Sequence, residues 1–353
     1  MTKPLPPPIS DPTAIFEYFR GSYGTELLAA AVSHFDLFGR LTKGPRSLAE
    51  LQADLNLAER PAIVLTTALR AMQLLSINAA GQFELTSIAA EHLVRGGEFD
   101  VGDYLSLSAT SPGVLEMVER LRSNRPAGLS GEEAGAAFIY RNGMKSAMEQ
   151  TLLAEHFTLA LAGRAKNVAP VLAEKIPLGK ASTLLDVGGG TGIYSVAFLK
   201  ANPQLKAIIF DRPEVLKTAE RFVADYGVAD RVQLCAGDMF ADPLPQADVI
   251  LLSNILHDWD IAECQILIDR CAAAIKPAGQ LIIHDVLLND ELDGPLPIAL
   301  YSAALFSFTA GRAYSAQEYN RWLEKAGLQP QPPIATLVHC HAIIGVISRD
   351  HSL

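Results

Sequence analysis

Short apolar runs alternate with helical segments in the second half of this chain, and this alternation constrains the fold more than any other feature. Residues 191–201, 213–226 and 260–276 have helical character. The runs around them are bounded by turn residues and read TLLDVGG, LKAIIFD, RVQLCAGD, ADVILLSN and GQLIIHD. Buried strands that alternate with helices indicate a parallel sheet covered on both faces. We therefore predict a doubly wound α/β domain over residues 179–353.

The first half of the chain has a different pattern, rich in Ala and Leu and helical as far as residue 178. Residues 1–12 are rich in proline and predict a flexible arm. Within residues 13–178, residues 60–77 read as a helix and residues 78–87 as a small hairpin. Helices followed by a hairpin are typical of a winged helix. We therefore predict a mainly α-helical, winged-helix domain for dimerisation.

Winged helices often bind DNA, so a transcriptional regulator is the alternative from a different class of protein. The candidate recognition helix carries only Arg60 and Arg70 as cations, and the formal net charge of the chain is −10. Reading a DNA groove needs cations that neutralise phosphates and side chains that reach base edges. We expect no nucleic-acid partner. The apolar helices over residues 13–41 favour a homodimer instead, because one short module cannot bury that much apolar surface.

The four cysteines are scattered and form no C-x-x-C pair, which is typical of reduced thiols in a cytosolic protein. The N-terminus has no apolar core of a signal peptide, and no run approaches the ~20 apolar residues of a membrane helix. We expect a cytoplasmic protein without a membrane partner.

A glycine-rich turn follows the first predicted strand, in the sequence LLDVGGGTGIYS. The strand ends at Asp186, and Gly188, Gly190 and Gly192 are the spaced glycines. Glycines permit positive φ angles and let a ligand lie against bare backbone, as in Rossmann-like nucleotide sites. Alone, the turn is compatible with NAD, FAD or S-adenosylmethionine, or with a tight turn that binds nothing.

Acidic residues end the strands that follow. Asp211 ends the next strand, where a carboxylate can accept both ribose hydroxyls. Asp238 and Met239 follow the third strand and suit an adenine, whose amine the acid accepts and whose ring the sulfur side chain covers. The glycine spacing is G-x-G-x-G, unlike the usual NAD pattern, and Asp186 suits a cofactor that bears an amino group. These features favour S-adenosylmethionine.

His257 stands at the end of a strand in VILLSNILHDWDIAEC, beside Asp258, Trp259 and Asp260. Taken alone, it could be a base, a metal ligand or a turn residue. We interpret Asp258 as structural, bonding local backbone N–H groups, Trp259 as a packing residue, and Asp260 as the N-terminus of a helix. A metal held by His257, Asp258, His284 and Asp285 is disfavoured, because adjacent strand residues point to opposite faces; the site residues therefore include no metal ligand.

Several ordered motifs together resemble the S-adenosylmethionine-dependent O-methyltransferases of the plant caffeic-acid and acetylserotonin type, and their bacterial small-molecule counterparts. The matching stretches are LLDVGGGTG, IIFDRPEV, AGDMFADPLPQADVILLSNILHDWDIAEC and IKPAGQLIIHDVLL. The resemblance implies a homodimer that methylates a hydroxyl of a small, aromatic or enolic metabolite. The same resemblance implies that the domain over residues 13–178 forms a lid over the substrate. It also implies cofactor contacts for Gly188, Gly190, Asp211, Asp238, Met239 and Ser253, the last in place of a lysine that touches the cofactor's carboxylate.

His257 falls on the family's general base, and Asp285 on the first of its two acidic partners. A histidine with a pKa near neutrality can remove the proton of a phenol or enol. The family's G-x-E-R-T-x-x-E-F stretch appears here as GRAYSAQEY, so Ala313 stands in place of the second acid. This departure keeps open a C-, S- or N-methyltransferase acting on a small acid or keto acid, with or without a metal.

Candidates for the acceptor pocket come from three places in the chain. One group lies on the helix before residue 175, another at the end of the histidine's strand, and a third on the apolar helix 298–308. Ordinary core packing explains an apolar stripe on that last helix equally well. The candidates are His156, Phe157, Leu161, Asn254, Tyr301 and Leu305.

Overall fold

The computed structural model describes residues 3–125 and 151–347, and the side chains of residues 3–125 and 158–347. The described residues form two compact units. The helical unit contains residues 17–125 and 288–313, and the sheet unit contains residues 3–16, 151–287 and 314–347. The helical unit thus combines the N-terminal helices with a later segment, whereas the sequence predicts one boundary near residue 178.

Short helices and one hairpin make up the N-terminal part of the helical unit. The hairpin pairs Leu75 with Leu85 and turns at Gly81, which has a φ of 75°. The turn and second strand fall within the predicted range 78–87, but the first strand lies before it. Helices α1 to α8 are Thr13–Arg20, Gly24–Ala29, Leu37–Leu41, Leu48–Leu55, Glu59–Ala71, Ser87–His92, Gly102–Leu105 and Pro112–Ser123, and strands β1 and β2 are Leu75–Ile77 and Phe83–Leu85.

The helix predicted over residues 60–77 is shorter in the structure. It is α5, which ends at Ala71, and Leu75–Ile77 is the first strand of the hairpin. The chain reverses at Gln73, which has a φ of 62° that a continuing helix cannot adopt. The apolar run therefore crosses from a helix into a strand, and its hydrophobicity alone does not mark that change.

Both cations of α5 are used inside the helical unit. Arg60 is 7% exposed and donates to the carbonyls of Thr309 and Gly311 at 3.1 and 3.2 Å. Arg70 donates to the carbonyl of Glu291, and its guanidinium lies 3.8 Å from Asp293. Most of α5 is buried as well, so this helix is a core element of its unit and does not present a phosphate-binding face.

The sheet unit is built on parallel strands with an antiparallel edge. From one edge to the other the strands run β5, β4, β3, β6, β7, β11 and β10; β8 adds to β7, and β9 adds to β11. Strands β3 to β7 are parallel neighbours, and β11 and β10 are antiparallel. Strands β3 to β11 are Thr183–Val187, Lys206–Asp211, Val232–Ala236, Ala247–Ser253, Ile275–Leu288, Tyr314–Ser315, Leu328–Pro330, Ile334–Ala335 and Cys340–Ile347.

Apolar side chains on both faces of this sheet are buried, as the continuous hydrophobic runs predict. Leu184 belongs to the core on one face, and its neighbour Leu185 to the core on the other. Helices α9 to α12 are Thr151–Lys175, Ile193–Ala201, Pro213–Asp225 and Ile261–Ala274, while α14 is Ala316–Lys325; α13, Leu296–Phe308, belongs to the helical unit. The predicted α/β sheet domain is therefore confirmed.

None of the helices within residues 3–125 and 151–347 combines the length and the apolar character that crossing a membrane requires.

Candidate active site

The glycine-rich turn joins β3 to α10 and leaves one side of its backbone open. Gly188, Gly190 and Gly192 all have positive φ, at 68°, 58° and 73°. A Cβ at Gly188 would lie 2.5 Å from Ile255, and a Cβ at Gly192 would strike Ile209. A Cβ at Gly190 would meet nothing within 4 Å. Two of the glycines are thus needed for packing, and Gly190 borders open space.

Asp211, at the end of β4, fixes the middle of this turn. Its Oδ2 accepts the N–H of Gly190 at 2.8 Å, and its Oδ1 accepts the N–H of Arg212 at 2.7 Å. Burial raises the pKa of this carboxyl to about 6, although both backbone bonds lower it. The two backbone hydrogen bonds orient the carboxylate before any ligand arrives. Because burial disfavours its charge, a ligand that donates hydrogen bonds would stabilise the ionised form.

Asp238 follows β5 at the same edge of the sheet. Its Oδ2 pairs with the guanidinium of Arg212 at 3.0 Å, and its Oδ1 accepts the N–H of Phe240 at 2.8 Å. Met239 is half-buried and packs against the apolar core on that face. The structure therefore places Asp211, Asp238 and the glycine turn at the carboxyl ends of three adjacent parallel strands. Arg212 is a residue that the sequence reasoning missed.

Asp186 lies beneath the turn and is 1% exposed. Its Oδ2 accepts the hydroxyl of Ser195 at 2.7 Å, which ties β3 to α10. Burial raises its pKa to about 6, and the nearby charge of Asp211 adds to the rise. In this structure Asp186 contacts the turn from below, and its predicted role toward an amino group of the cofactor stays a prediction.

His257 and Asp285 form a short, buried hydrogen-bonded pair. Nδ1 of the imidazole lies 2.6 Å from Oδ1 of the carboxylate, and the two residues are 5% and 1% exposed. Since an ionised carboxylate only accepts, Nδ1 carries the proton and Nε2 carries the lone pair of the neutral ring. Burial lowers the pKa of His257, but Asp285 and Asp258 outweigh it, so the pKa is raised above 6.5.

Asp258 does not play the structural role that its place in the sequence suggested. Within the described residues its carboxyl makes no hydrogen bond to backbone, and its Oδ1 lies 3.6 Å from Nε2 of His257. Burial raises its pKa to about 6, while the neighbouring imidazole lowers it. A second carboxyl therefore faces the base on its lone-pair side. The tight 3-10 turn over Leu256–Asp258 bends the side chain back toward the ring.

The neighbouring roles expected for Trp259 and Asp260 are confirmed. Trp259 is 4% exposed and belongs to the apolar core. Asp260 caps α12 by accepting the N–H of Ile261 at 2.8 Å. The chain around the base is thus held on one side by packing and on the other by a helix cap.

Ser253 ends β6, and Asn254 follows it directly. Both belong to a polar network with α10 and β7. Ser253 Oγ lies 3.0 Å from Nδ1 of His284, and the amide of Asn254 donates to Ser253 Oγ and to the hydroxyl of Tyr194. Asn254 has a φ of 58°, and its Oδ1 is buried without a hydrogen-bond partner in the described structure. An orphaned buried acceptor costs free energy unless a donor arrives.

His284 faces away from the His257 pair, as the strand alternation predicts. Its Nε2 lies 3.0 Å from the hydroxyl of Thr336. Burial and the positive charge of Arg164 lower its pKa to about 3, so it stays neutral. Across residues 3–125 and 151–347, no group of three or more His, Cys, Asp or Glu side chains is arranged to hold a metal ion.

The acceptor candidates with described side chains fall in both units. Leu161, on α9, is 51% exposed, and Asn254 lies in the network beside the turn. Tyr301 lies under the guanidinium of Arg20 at 4.6 Å, and Leu305 is 6% exposed; both belong to the helical unit. The side chains of His156 and Phe157 fall outside the described residues. The assignment of these residues to an acceptor pocket stays a prediction.

The residues around the glycine turn fit the cofactor that the sequence predicts. Gly190 opens onto space that a ligand can fill, and Asp211 is an oriented acceptor suited to a diol. The orphaned Oδ1 of Asn254 suits an ammonium donor. Donor and acceptor chemistry of this kind matches S-adenosylmethionine, which carries ribose hydroxyls and an α-amino group.

A family model and a curated relative both identify this chain as an O-methyltransferase. The model of the O-methyltransferase domain matches residues 132–329, more than half of the chain. The chain is 32% identical to 3-hydroxy-5-methyl-1-naphthoate 3-O-methyltransferase of Streptomyces sahachiroi over 325 residues, which are 91% of each protein.

Solved structures agree with this result. An O-methyltransferase family 2 protein from Planctomyces limnophilus, solved with apigenin, is 46% identical, with a TM-score of 0.88 over 98% of this chain and 99% of that one. Human N-acetylserotonin methyltransferase, solved with S-adenosylmethionine, shares the fold at 23% identity, with a TM-score of 0.59 over 95% and 97% of the two chains. Because the family model spans more than half of the chain and relatives match it over nearly its whole length, this protein belongs to the S-adenosylmethionine-dependent O-methyltransferase family.

Proposed function

We propose that this enzyme methylates a hydroxyl group of a small aromatic metabolite, with His257 as the general base. The observation that carries this proposal is the buried 2.6 Å bond between His257 and Asp285, within the same unit as the glycine turn. Two relatives support an aromatic acceptor: one is named for a hydroxynaphthoate, and the other was solved with apigenin.

The cofactor residues act by orientation. When bound, S-adenosylmethionine supplies an electrophilic methyl group on a positively charged sulfur. We assign its ribose to Asp211, its adenine to Asp238 and Met239, and its amino-acid end to the backbone of Gly188 and Gly190. Near that end, Ser253 stands where the family resemblance implies a lysine, and its hydroxyl is already engaged with His284 and Asn254. Asn254 therefore joins Ser253 in the proposed site for the amino-acid end.

His257 prepares the acceptor. A phenol attacks a sulfonium methyl poorly until its proton leaves, and Nε2 of His257 is the atom that takes this proton. Asp285 holds Nδ1–H and stabilises the imidazolium that results. Asp258, on the Nε2 side, attracts the same positive charge. The resemblance implies a second acidic partner at position 313, where this chain has alanine. We propose that Asp258, the residue after His257, supplies this second carboxyl instead.

The test combines binding with transfer. We expect calorimetry to show binding of S-adenosylmethionine, and a labelled methyl group to pass to at least one member of a panel of hydroxynaphthoic acids, flavones and simple phenols. His257→Gln should keep cofactor affinity while kcat falls by roughly 10²–10⁴-fold, the usual contribution of a general base. Absence of cofactor binding by the wild type, or an unchanged kcat in the variant, would refute the assignment.

The position of the label separates this function from its alternatives. Methyl carbon bonded to oxygen has a distinct chemical shift from methyl bonded to carbon, nitrogen or sulfur, so NMR of the product identifies the acceptor atom. Both arginines of α5 are engaged within the helical unit, which counts against the winged-helix regulator.

We further propose that the helices and hairpin of the helical unit form a winged-helix dimerisation domain of a cytoplasmic homodimer. Support comes from large apolar side chains that this unit leaves exposed: Tyr18 is 87% exposed, Phe19 78%, Tyr104 76% and Leu107 79%. Exposed apolar surface on this scale marks an interface. The free cysteines Cys235, Cys264, Cys271 and Cys340 are consistent with a reducing compartment.

Sedimentation tests the dimer directly. We expect twice the chain mass of 37.9 kDa for the wild type, and the single-chain mass for a variant with Tyr18→Asp and Phe19→Asp. A charged pair on an exposed helix face leaves the fold intact but opposes apolar association. A monomeric wild type at micromolar concentration would contradict the proposal.

A further inference from the structure

Tyr319 is a buried phenol whose hydroxyl reaches the acidic partner of the base. Its Oη donates to Oδ2 of Asp285 at 3.2 Å, and the tyrosine is 0% exposed. The stretch G-x-E-R-T-x-x-E-F, which residues 311–319 resemble, has phenylalanine where this chain has Tyr319. Proton removal by His257 does not itself require this hydroxyl.

We propose that Tyr319 is a positioning residue for the catalytic pair, holding Oδ2 of Asp285 so that Oδ1 stays directed at His257. The proposal rests on the proposed function, because it assumes that His257 is the base. Tyr319 touches neither the base nor the reacting atoms, and it acts through the carboxylate.

The hydrogen bonds of Asp285 show why such a donor is needed. Oδ1 accepts from Nδ1 of His257 at 2.6 Å and from the N–H of Val286 at 2.8 Å. In the described part of the chain, Tyr319 is the one donor to Oδ2. A carboxylate buried to 1% exposure with one oxygen unpaired would pay a desolvation penalty and could rotate about its Cβ–Cγ bond. The phenol removes both problems.

Rigid surroundings keep the phenol in place. Tyr319 lies in the first turns of α14, where Ser315 and Glu318 form a capping box, and β8 just before the helix pairs with β7, the strand of Asp285. The tyrosine ring makes edge contacts with Trp322 at 5.3 Å and Tyr314 at 5.9 Å. Burial and the charge of Asp285 hold its pKa well above its ordinary value, so it remains a donor.

The hydrogen bond also tunes the base. Among the side chains that the structure describes, Asp285, Asp258 and Arg164 are the charged groups that act on His257; the two acids raise its pKa and Arg164 lowers it. A donor on Oδ2 draws part of the Asp285 charge away from the imidazole. Tyr319 therefore limits the rise in the pKa of His257 and keeps more of the base unprotonated near neutral pH.

The test is Tyr319→Phe, which removes one oxygen and keeps the packing. We expect kcat to fall roughly tenfold, with KM for both substrates changed by less than about twofold, because only proton removal is affected. The midpoint of the rise in kcat/KM with pH should shift to higher pH by roughly 0.5 unit. This is the size expected from one lost neutral hydrogen bond. NMR of imidazole-labelled protein should show the same shift in the titration of His257 without any substrate.

Tyr314→Phe is the matched control. Its hydroxyl is equally buried and donates at 2.6 Å to the backbone carbonyl of Trp259, so its loss should lower stability without touching Asp285. We expect its pH profile to match the wild type. In an Asp285→Asn background, Tyr319→Phe should produce no further shift, because the charge it modulates is gone.

The outcomes are distinct. A Tyr319→Phe titration midpoint for His257 that is unchanged or moves downward would overturn the proposal, as would an equal shift in Tyr314→Phe. If Tyr319→Phe fails to fold, incorporation of a fluorotyrosine at residue 319 tests the same bond with opposite sign, because a more acidic phenol is a stronger donor and should lower the midpoint. A wild type that methylates nothing would refute the proposed function, while the NMR shift would still report on Tyr319.

Discussion

Three carboxyl groups near the sheet edge differ in pKa because their immediate partners differ. Asp285 has a depressed pKa: burial raises it, but the imidazole of His257 and hydrogen bonds outweigh burial. Asp258, one residue from the base, has a pKa raised to about 6 because burial outweighs the imidazole. Asp211 is raised to about 6 despite two backbone donors. At neutral pH all three are largely ionised, and two of them, Asp285 and Asp258, place negative charge beside the imidazole of His257, where it stabilises an imidazolium.

This arrangement sets the pH dependence of the reaction. A base must be unprotonated to act, and the pKa of His257 is raised, so we expect kcat/KM to rise with pH through a midpoint above 6.5. Asp285→Asn removes the main stabilising charge, so that midpoint should move to lower pH while kcat falls roughly 10²-fold or more. Steady-state rates with one acceptor between pH 5 and 9 measure both. A midpoint that stays fixed in Asp285→Asn would contradict the pairing.

Elements bring these side chains together because parallel strands place their carboxyl ends at one edge. The three glycines of the turn serve different purposes. Neighbouring side chains leave no room for a Cβ at Gly188 or Gly192, whereas Gly190 borders open space. Binding and packing thus make different demands on residues two positions apart. The tight turn after β6 acts in the same way, since it aims His257 and Asp258 at each other.

Gly190→Ala tests the element, with Gly179→Ala as a matched control. Both glycines have a φ of 58°, and a Cβ at either would meet nothing within 4 Å. Each alanine should therefore cost about 1 kcal/mol of folding free energy from backbone strain alone. Only Gly190→Ala should weaken binding of S-adenosylmethionine, by roughly tenfold or more, because its methyl fills the open side of the turn. Equal affinities of the two variants in calorimetry would place the cofactor elsewhere.

At the scale of the whole molecule, the sheet unit carries buried charge that does not favour its stability. Asp186 is 1% exposed with a pKa raised to about 6, mainly by burial. A carboxyl whose folded pKa lies above its unfolded value binds more protons when folded. Stability therefore falls as pH rises from about 4 to 6 and then levels off. The buried charge of Asp186, beneath the glycine turn, therefore lowers the folding stability of the sheet unit at neutral pH.

Asp186→Asn should relieve that cost. We expect the variant to be more stable than the wild type by about 2 kcal/mol at pH 7.5, since an amide carries no charge to bury and can still accept from Ser195. The gain should shrink as pH falls below 6 and disappear below about 4, where the wild-type carboxyl is protonated in both states. Urea unfolding at several pH values checks this. A gain that does not depend on pH would show that burial of the charge is not the cause.

The sequence alone determined the sheet and the edge at which chemistry occurs. Apolar runs between turn residues predict buried parallel strands, and the side chains that follow such strands must meet at one edge. Strand order along the chain is therefore enough to bring Gly188, Asp211, Asp238 and His257 to the same edge. Local patterns also determined the caps, such as Asp260 at the start of α12. These features depend on periodicity and on residues close in sequence.

Only the tertiary structure decided which side chains face which. Asp258 turned toward Nε2 of His257 because a single turn of 3-10 helix bends back, and Tyr319 reached Asp285 across 34 positions because α14 starts beside β7. The helix predicted over residues 60–77 ended early for a similar reason: the chain reverses at Gln73, where no proline or glycine marks the break. Spacing in sequence fixes the direction of a side chain along its own element, whereas its partner across elements depends on packing.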